Sequence, residues 1–127
     1  MRKITARAMG CTASVALASV AGAASAQESC SGDTIKIGIL NDMASGYSDT
    51  VGEGLAQTVK WAVEDFGGKV KGHPIEVLNA DTQLKADIAS TTARRWTDED
   101  KVDVLVAGSG SPIALAAMEV GNEKGVA

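Results

Sequence analysis

A chain of 127 residues has room for one domain at most. Its 16 acidic residues against 12 basic ones give a formal net charge of −4, which makes it a poor partner for nucleic acid. With one histidine and two cysteines it carries no Cys/His cluster at metal-ligand spacing.

The chain opens with the anatomy of a secretory signal peptide. Arg2, Lys3 and Arg7 form a basic start, Ala8 to Val20 is small and apolar without a charge, and Ala24-Ser25-Ala26 before Gln27 is a small-residue cleavage site. A membrane anchor would need roughly 20 strongly apolar residues, and this segment is shorter and alanine-rich. Residues 1–26 are therefore expected to be removed on export; three bases and no acid leave with them, which shifts the formal charge to −7. Cys11 leaves too, and without a preceding leucine it is no lipoprotein signal. Cys30 is then alone, either to pair with a cysteine further along a longer chain or to stay a free thiol near a frayed end. No later apolar stretch is long enough for stable membrane insertion.

Residues 27–33 read as a flexible lead-in. Ile35, Ile37 and Ile39 alternate and Leu40 adds apolar character to the other face, which predicts a strand over 35–40. Asn41 to Gly46 reads as a loop. A helix follows from Tyr47 or Ser48 to about Phe66, with Leu55, Val59, Ala62, Val63 and Phe66 on one stripe and Ser48, Asp49 or Thr50 as caps. Gly67-Gly68 stops it. Lys69 to Pro74 reads as a basic turn, Ile75 to Leu78 as a short strand, and Asn79 to Gln83 as its exit loop. The next helix is expected from Lys85 to Thr97, with Leu84, Ile88, Thr92, Arg95 and Trp96 near one line and Ala89 and Ala93 allowing close packing. Asp98 to Lys101 is a charged surface turn.

Val104, Leu105 and Val106 then predict a strand buried on both faces. It ends at Ala107 or Gly108, since Gly108-Ser109-Gly110 does not extend it. Ser111 suits the N-cap and Pro112 the first helical position, and Ile113, Ala116, Ala117 and Val120 recur at helical spacing. Gly125 suits the end of that helix, and Val126-Ala127 looks like the start of a fourth strand.

Strand, helix, strand, helix, strand, helix, in units of about thirty residues, predicts an α/β fold: a parallel sheet with helices on both faces, a Rossmann-like lobe that is incomplete here. Ligands bind such sheets outside the carboxyl ends of the strands. Three loops lie at that edge: Asn41 to Ser48, Ala80 to Gln83, and Gly108 to Ser111. The last is the candidate ligand cradle, because unpaired N–H groups and the helix dipole at a strand–turn–helix junction favour a carboxylate or phosphate.

No catalytic constellation competes with that reading. The dinucleotide fingerprint fails because the third glycine position is Ile113, and no Walker lysine follows. Neither Ser109 nor Ser111 has the flanking glycines of a nucleophile elbow. His73, the only histidine, lies between Gly72 and Pro74 at the opposite edge, where it reads as an exposed turn residue. Asp42, Asp49 and Asp81 fit metal ligation or an acid/base pair less well than capping and loop solvation. Trp61 and Trp96 sit mid-helix at spacing that suits packing. Tyr47, on the first edge loop, either walls a ligand or packs. Nothing in these motifs calls for a cofactor or for enzymatic activity.

Several of these segments, in order, resemble a known family. Ile35-Lys36-Ile37-Gly38-Ile39-Leu40-Asn41-Asp42-Met43 with Ser45-Gly46-Tyr47, then Ala62 to Val70 and Gly72 to Val77, are similar to the periplasmic substrate-binding proteins of branched-chain amino acid type ABC transporters. Ala80-Asp81, Ala93 to Trp96 and the Gly108 to Pro112 turn fit as well, so the resemblance spans Thr34 to Ala127. It implies a two-lobed type I periplasmic binding protein of which residues 34–127 are part of the N-terminal ligand-binding lobe. It implies no catalysis, a small carboxylate-bearing ligand such as an amino acid, amide or aromatic acid, and a membrane permease as partner.

Carried over by position, Ser111 is the ligand-holding serine after the third strand, and Tyr47 or Ser48 flanks the ligand. Ser109 is a weaker match, and Gly110 lies between the two serines of the cradle. The usual next contact, an Ala-x-Thr type loop after the fourth strand, falls beyond Ala127. The alternatives are a secreted sensory or regulatory ligand-binding domain on the same fold, and an exported α/β hydrolase whose base and nucleophile would come later in the chain. Alone, residues 27–127 are expected to be marginally stable or aggregation-prone, because three strands leave a sheet edge and helix faces uncovered.

Overall fold

The computed structural model describes residues 32–127, so the expected signal peptide, Cys30 and most of the lead-in lie outside the described residues. Seven elements follow: β1 (Ile35–Asn41), α1 (Ser48–Asp65), β2 (Lys69–Val70), β3 (His73–Asp81), α2 (Ala86–Arg95), β4 (Val104–Ala107) and α3 (Ser111–Lys124). The sheet runs β2-β3-β1-β4. Its three longer strands are parallel, with Ile37 opposite both Val77 and Val104. The expected α/β fold is what the chain adopts.

The two faces of the sheet are unequal. Leu40 of β1, with Leu78, Ala80, Leu105 and Ala107, packs against α2 and α3 through Ala89, Ala93, Trp96, Ile113, Ala116, Ala117 and Val120. The α3 positions that recur at helical spacing are thus all in the core, as expected. Gly38 lies on this face beneath the Trp96 ring: a Cβ there would stand 2.6 Å from Trp96 Cε3. A strand glycine here marks close approach of a flat indole. On the other face Ile39 is fully buried, yet α1 contributes only Gly52 and Ala56 as buried residues.

Several expectations are corrected. Lys69 to Pro74 is no simple turn: β2 pairs antiparallel with β3, Lys69 opposite Pro74. The reversal is made by Lys71 and Gly72, both at positive φ (51° and 92°), which is the geometry of a two-residue hairpin turn. His73 begins β3 half-buried, with Nδ1 3.2 Å from the Asp33 carbonyl oxygen, instead of lying exposed in a turn. β3 is longer than Ile75 to Leu78 because its polar flanks still join the ladder, Asn41 opposite Asp81.

The helix expected over 85–97 is α2 followed by a π turn, Trp96–Asp100, that Lys101 closes at φ 56°. Trp96 packs as expected at 3 % exposure, whereas Trp61 is 58 % and Phe66 69 % exposed. Trp61 stands two residues, about 200° of helix, from Val59 and so faces away from the sheet. Phe66 follows the last turn of α1, where no described element covers it.

At the far end of the chain, the Leu105 N–H donates to the Ala127 carbonyl (2.7 Å) and the Ala127 N–H to the Asp103 carbonyl (3.3 Å). This pair of bonds is a parallel bridge on the outer side of β4, in line with a strand starting at Val126-Ala127. Among the described residues no helix is long and apolar enough to cross a membrane.

Candidate ligand-binding site

The parallel strands deliver the three expected loops to one edge of the sheet. The first is organised by Asp42, which is fully buried. Its Oδ1 accepts from the Ser45 N–H (3.1 Å) and hydroxyl (2.6 Å), and its Oδ2 from the Tyr47 N–H (2.7 Å). Burial pushes this carboxyl up, but the bonds from the Ser45 side chain and from the Tyr47, Ser45 and Ala44 backbones outweigh it and hold the group below its ordinary value. The Ser48 hydroxyl closes the loop by donating to the Ser45 carbonyl at 2.7 Å.

Ser48, Asp49 and Thr50 therefore do not cap α1. The N-cap position is Tyr47 and no side chain caps it. Asp42 does the ordering from outside the helix, and the hydroxyls of Ser48 and Thr50 turn back to carbonyls of the preceding turn. Tyr47 is left half-exposed with its backbone fixed.

The second loop is built the same way. Asp81 Oδ1 accepts from the Met43 N–H (3.1 Å) and the Gln83 N–H (2.9 Å), tying the exit of β3 to that of β1. Asp42 and Asp81 thus spend oxygens on loop N–H groups, and Asp42, being buried, orders its loop from inside and does not solvate it. Gln83 and Leu84 both take positive φ, 51° and 55°. That conformation brings Leu84 Cδ1 within 3.6 Å of the point a Cβ on Gly46 would occupy.

The third loop is the cradle. The Gly108 N–H donates to the Leu40 carbonyl at 3.0 Å, and a Cβ on Gly108 would stand 2.1 Å from Leu55 Cδ2 and 2.9 Å from Asn41 Oδ1. An added Cβ would have to push the Leu55 methyl aside and crowd the Asn41 carboxamide. Ser109 is 1 % exposed, and its hydroxyl has no partner among the described residues. Gly110 occupies the N-cap position at φ 78°, ψ 155°, again without a side-chain cap.

Ser111 is consequently not the N-cap. The positive φ of Gly110 turns the chain one residue earlier, so that Ser111 is the first helical residue and exposed, and Pro112 takes the second position, where its missing N–H costs nothing. All five expected site residues stand at this edge: Tyr47 and Ser48 beyond β1, and Ser109, Gly110 and Ser111 beyond the adjacent β4. Sequence reasoning ranked Ser111 above Ser109, but only Ser109 has a buried, unsatisfied hydroxyl. It missed Asn41, which is fully buried at the end of β1.

A groove of about 420 Å³ lies elsewhere, between β4, α3 and the last residues, lined by Leu105, Ala114, Met118 and Val126 among others.

A parallel α/β lobe with an unsatisfied hydroxyl and a helix start at its carboxyl edge has a geometry that can hold a small polar ligand. Residues 34–127 match the profile of the family described as periplasmic binding protein, and the chain belongs to that family. Among solved structures it is similar to a periplasmic binding protein from Burkholderia mallei, with 49 % identity, a TM-score of 0.72, and 74 % of this chain and 25 % of that one covered. It is also similar to a branched-chain amino acid ABC transporter periplasmic ligand-binding protein from Burkholderia xenovorans LB400, at 39 % identity and TM-score 0.70, covering 73 % and 25 %. A third is a solute-binding protein of an ABC transporter from Rhodopseudomonas palustris BisB5 in complex with 3,4-dihydroxybenzoic acid, at 28 % identity and TM-score 0.69, covering 75 % and 26 %. The chain spans about a quarter of the length of these proteins. A comparison with functionally curated proteins finds no match.

Proposed function

We propose that this chain supplies the first-lobe half of the cleft of an extracytoplasmic solute-binding protein, which captures a small carboxylate-bearing solute and hands it to the membrane permease of an ABC transporter. In this reading residues 1–26 are the export signal, residues 34–127 begin the N-terminal lobe, and a second lobe closes over the ligand without any chemistry. The observation that carries it is the Ser109 hydroxyl, buried and without a partner one residue before the N-cap of α3. A buried polar group left unpaired costs about 1 to 3 kcal/mol, and a ligand oxygen held there relieves that cost while meeting the N–H groups of the first helical turn.

The ligands in the relatives' own names are consistent with this chemistry. Branched-chain amino acids and 3,4-dihydroxybenzoic acid share a carboxylate and little else. Ser109, Gly110 and Ser111 are then the carboxylate side of the site, and Tyr47 and Ser48 the wall that meets the rest of the solute. Calorimetry or thermal-shift screening of the full-length protein against amino acids, amides and aromatic acids tests the reading. A micromolar binder in one of these classes is expected, and stabilisation by none of them would defeat it.

A further inference from the structure

Asn41 stands where the three edge loops meet. Its Nδ2 donates to the Val51 carbonyl at 2.6 Å and the Gly52 carbonyl at 2.7 Å. Its own carbonyl accepts from the Thr82 N–H (2.7 Å) and hydroxyl (2.9 Å). Its Oδ1 faces the cradle, 2.9 Å from where a Cβ on Gly108 would lie. One buried residue thus touches the start of α1, the exit of β3 and the exit of β4.

The contact to α1 falls on a bend. Gly52 has φ −48° and ψ −117° in place of the helical ψ near −42°, a rotation of roughly 75° that kinks α1 and interrupts the ladder across Gly52, the Val51 carbonyl included. A Cβ there would press on the Asp42 carbonyl oxygen at 3.3 Å. The chain has an obvious competing state: a straight α1, in which the Val51 carbonyl accepts from the N–H four residues on instead of from Asn41. Straightening would swing the turn Ser48–Val51, and with it the loop that carries Tyr47. In the bent state Asn41 Nδ2 donates to both carbonyls.

We propose that Asn41 is the positioning residue of the cleft: by holding the bend at Gly52 it selects the conformation of α1 in which Tyr47 and Ser48 stand beside the Ser109–Ser111 cradle. This rests on the ligand reading above. Asn41 acts through the loop it holds.

The test is hydrogen exchange in the full-length protein, comparing wild type with Asn41→Leu, Gly52→Ala and the double variant. Asn41→Leu removes the two donors at similar volume, and Gly52→Ala favours the straight helix directly. In both, the Ser45 and Tyr47 amides, held by Asp42 in the wild type, are expected to exchange at least tenfold faster, while amides in the middle of β1 and β3 keep their protection. The double variant should be no faster than either single one, because both substitutions release the same bend. A uniform loss of protection across the sheet, or additive effects in the double variant, would reduce Asn41 to a general packing role and overturn the proposal. If Asn41→Leu does not fold, Gly52→Ala alone carries the comparison, and unchanged loop protection there overturns it equally. Adding 3,4-dihydroxybenzoate or L-leucine to the wild type separates the two layers of argument. Selective loop loosening in the variants with no response of the wild-type loop to either probe keeps the role of Asn41 and counts against the ligand reading; a probe response with no loosening does the reverse.

Discussion

Gly108→Ala places a methyl group at the tightest point between the cradle and α1, and its cost can be apportioned between two neighbours. The nearer is Leu55 Cδ2, at 2.1 Å from the new Cβ. It is the free end of a half-buried side chain and yields by rotation, at about 0.5 to 1.5 kcal/mol for an off-rotamer side chain. The second is Asn41 Oδ1 at 2.9 Å, a few tenths of an ångström inside ordinary contact. It cannot retreat without lengthening the bonds from Nδ2 at 2.6 and 2.7 Å. Against these, alanine in place of glycine restricts the unfolded chain, which favours folding by roughly 0.4 to 1 kcal/mol where the native backbone suits it. The net expectation is a loss of about 1 to 3 kcal/mol, the usual range for overpacking. Native-state hydrogen exchange at the β1 and β4 amides of the full-length protein measures it, since it reads the stability of this sheet whatever else the chain carries. The same substitution in a Leu55→Ala background identifies the rigid partner. If Asn41 resists, roughly half of the cost survives there. A loss below about 0.5 kcal/mol in the wild type, or none in the Leu55→Ala background, would refute the claim that Asn41 is held in place.

Gly38→Ala should destabilise by about 1 to 3 kcal/mol through the Trp96 ring, and Trp96→Leu should relieve most of it in a double-mutant cycle read by urea unfolding. Ser109→Ala should leave the unliganded protein as stable or slightly more so, by differential scanning calorimetry, yet weaken a carboxylate ligand by about 1 to 3 kcal/mol in titration calorimetry; unchanged affinity would remove Ser109 from the site. Ser111→Ala should weaken that ligand by a similar amount only if its exposed hydroxyl also bonds the solute. Asp42 makes the loop acid-sensitive: its folded pKa lies below the ordinary value, so its contribution is complete above about pH 4 and is lost as pH falls through the folded value. Exchange at the Ser45 and Tyr47 amides should therefore accelerate selectively on acidification below pH 4, and Asp42→Asn should loosen the same amides at neutral pH.

Elements whose burial follows a simple period are legible in the sequence. Ile113, Ala116, Ala117 and Val120 are all buried, and β4 ends at Ala107, where the apolar run meets Gly108. The hairpin of β2 was invisible for the opposite reason. Two residues give no alternation, and the turn is coded by the positive φ of Lys71 and Gly72, one of them a residue type that rarely adopts it. Trp61 and Trp96 look alike in sequence, and only the facing of each helix separates the exposed ring from the one lying on Gly38.

The site shows the same division more sharply. That ligand-facing groups gather at the ends of β1 and β4 follows from topology, which strand–helix alternation dictates. Which group does the work does not follow, because the decision is made by single backbone angles and by contacts between loops distant in sequence. Gly110 at φ 78° takes the capping position and leaves Ser111 exposed, while Ser109 is buried with its hydroxyl unsatisfied. Asn41 reads as the first residue of a polar loop, yet it is the last residue of β1, and the carbonyls it satisfies lie 10 and 11 residues further on. Glycines carry the compensating information. Gly38 and Gly108 stand where an indole and the Asn41 carboxamide crowd any Cβ, Gly110 takes positive φ at the start of α3, and Gly52 sits at the bend of α1. In this lobe the polar residues that a sequence advertises as functional are placed by glycines that it does not.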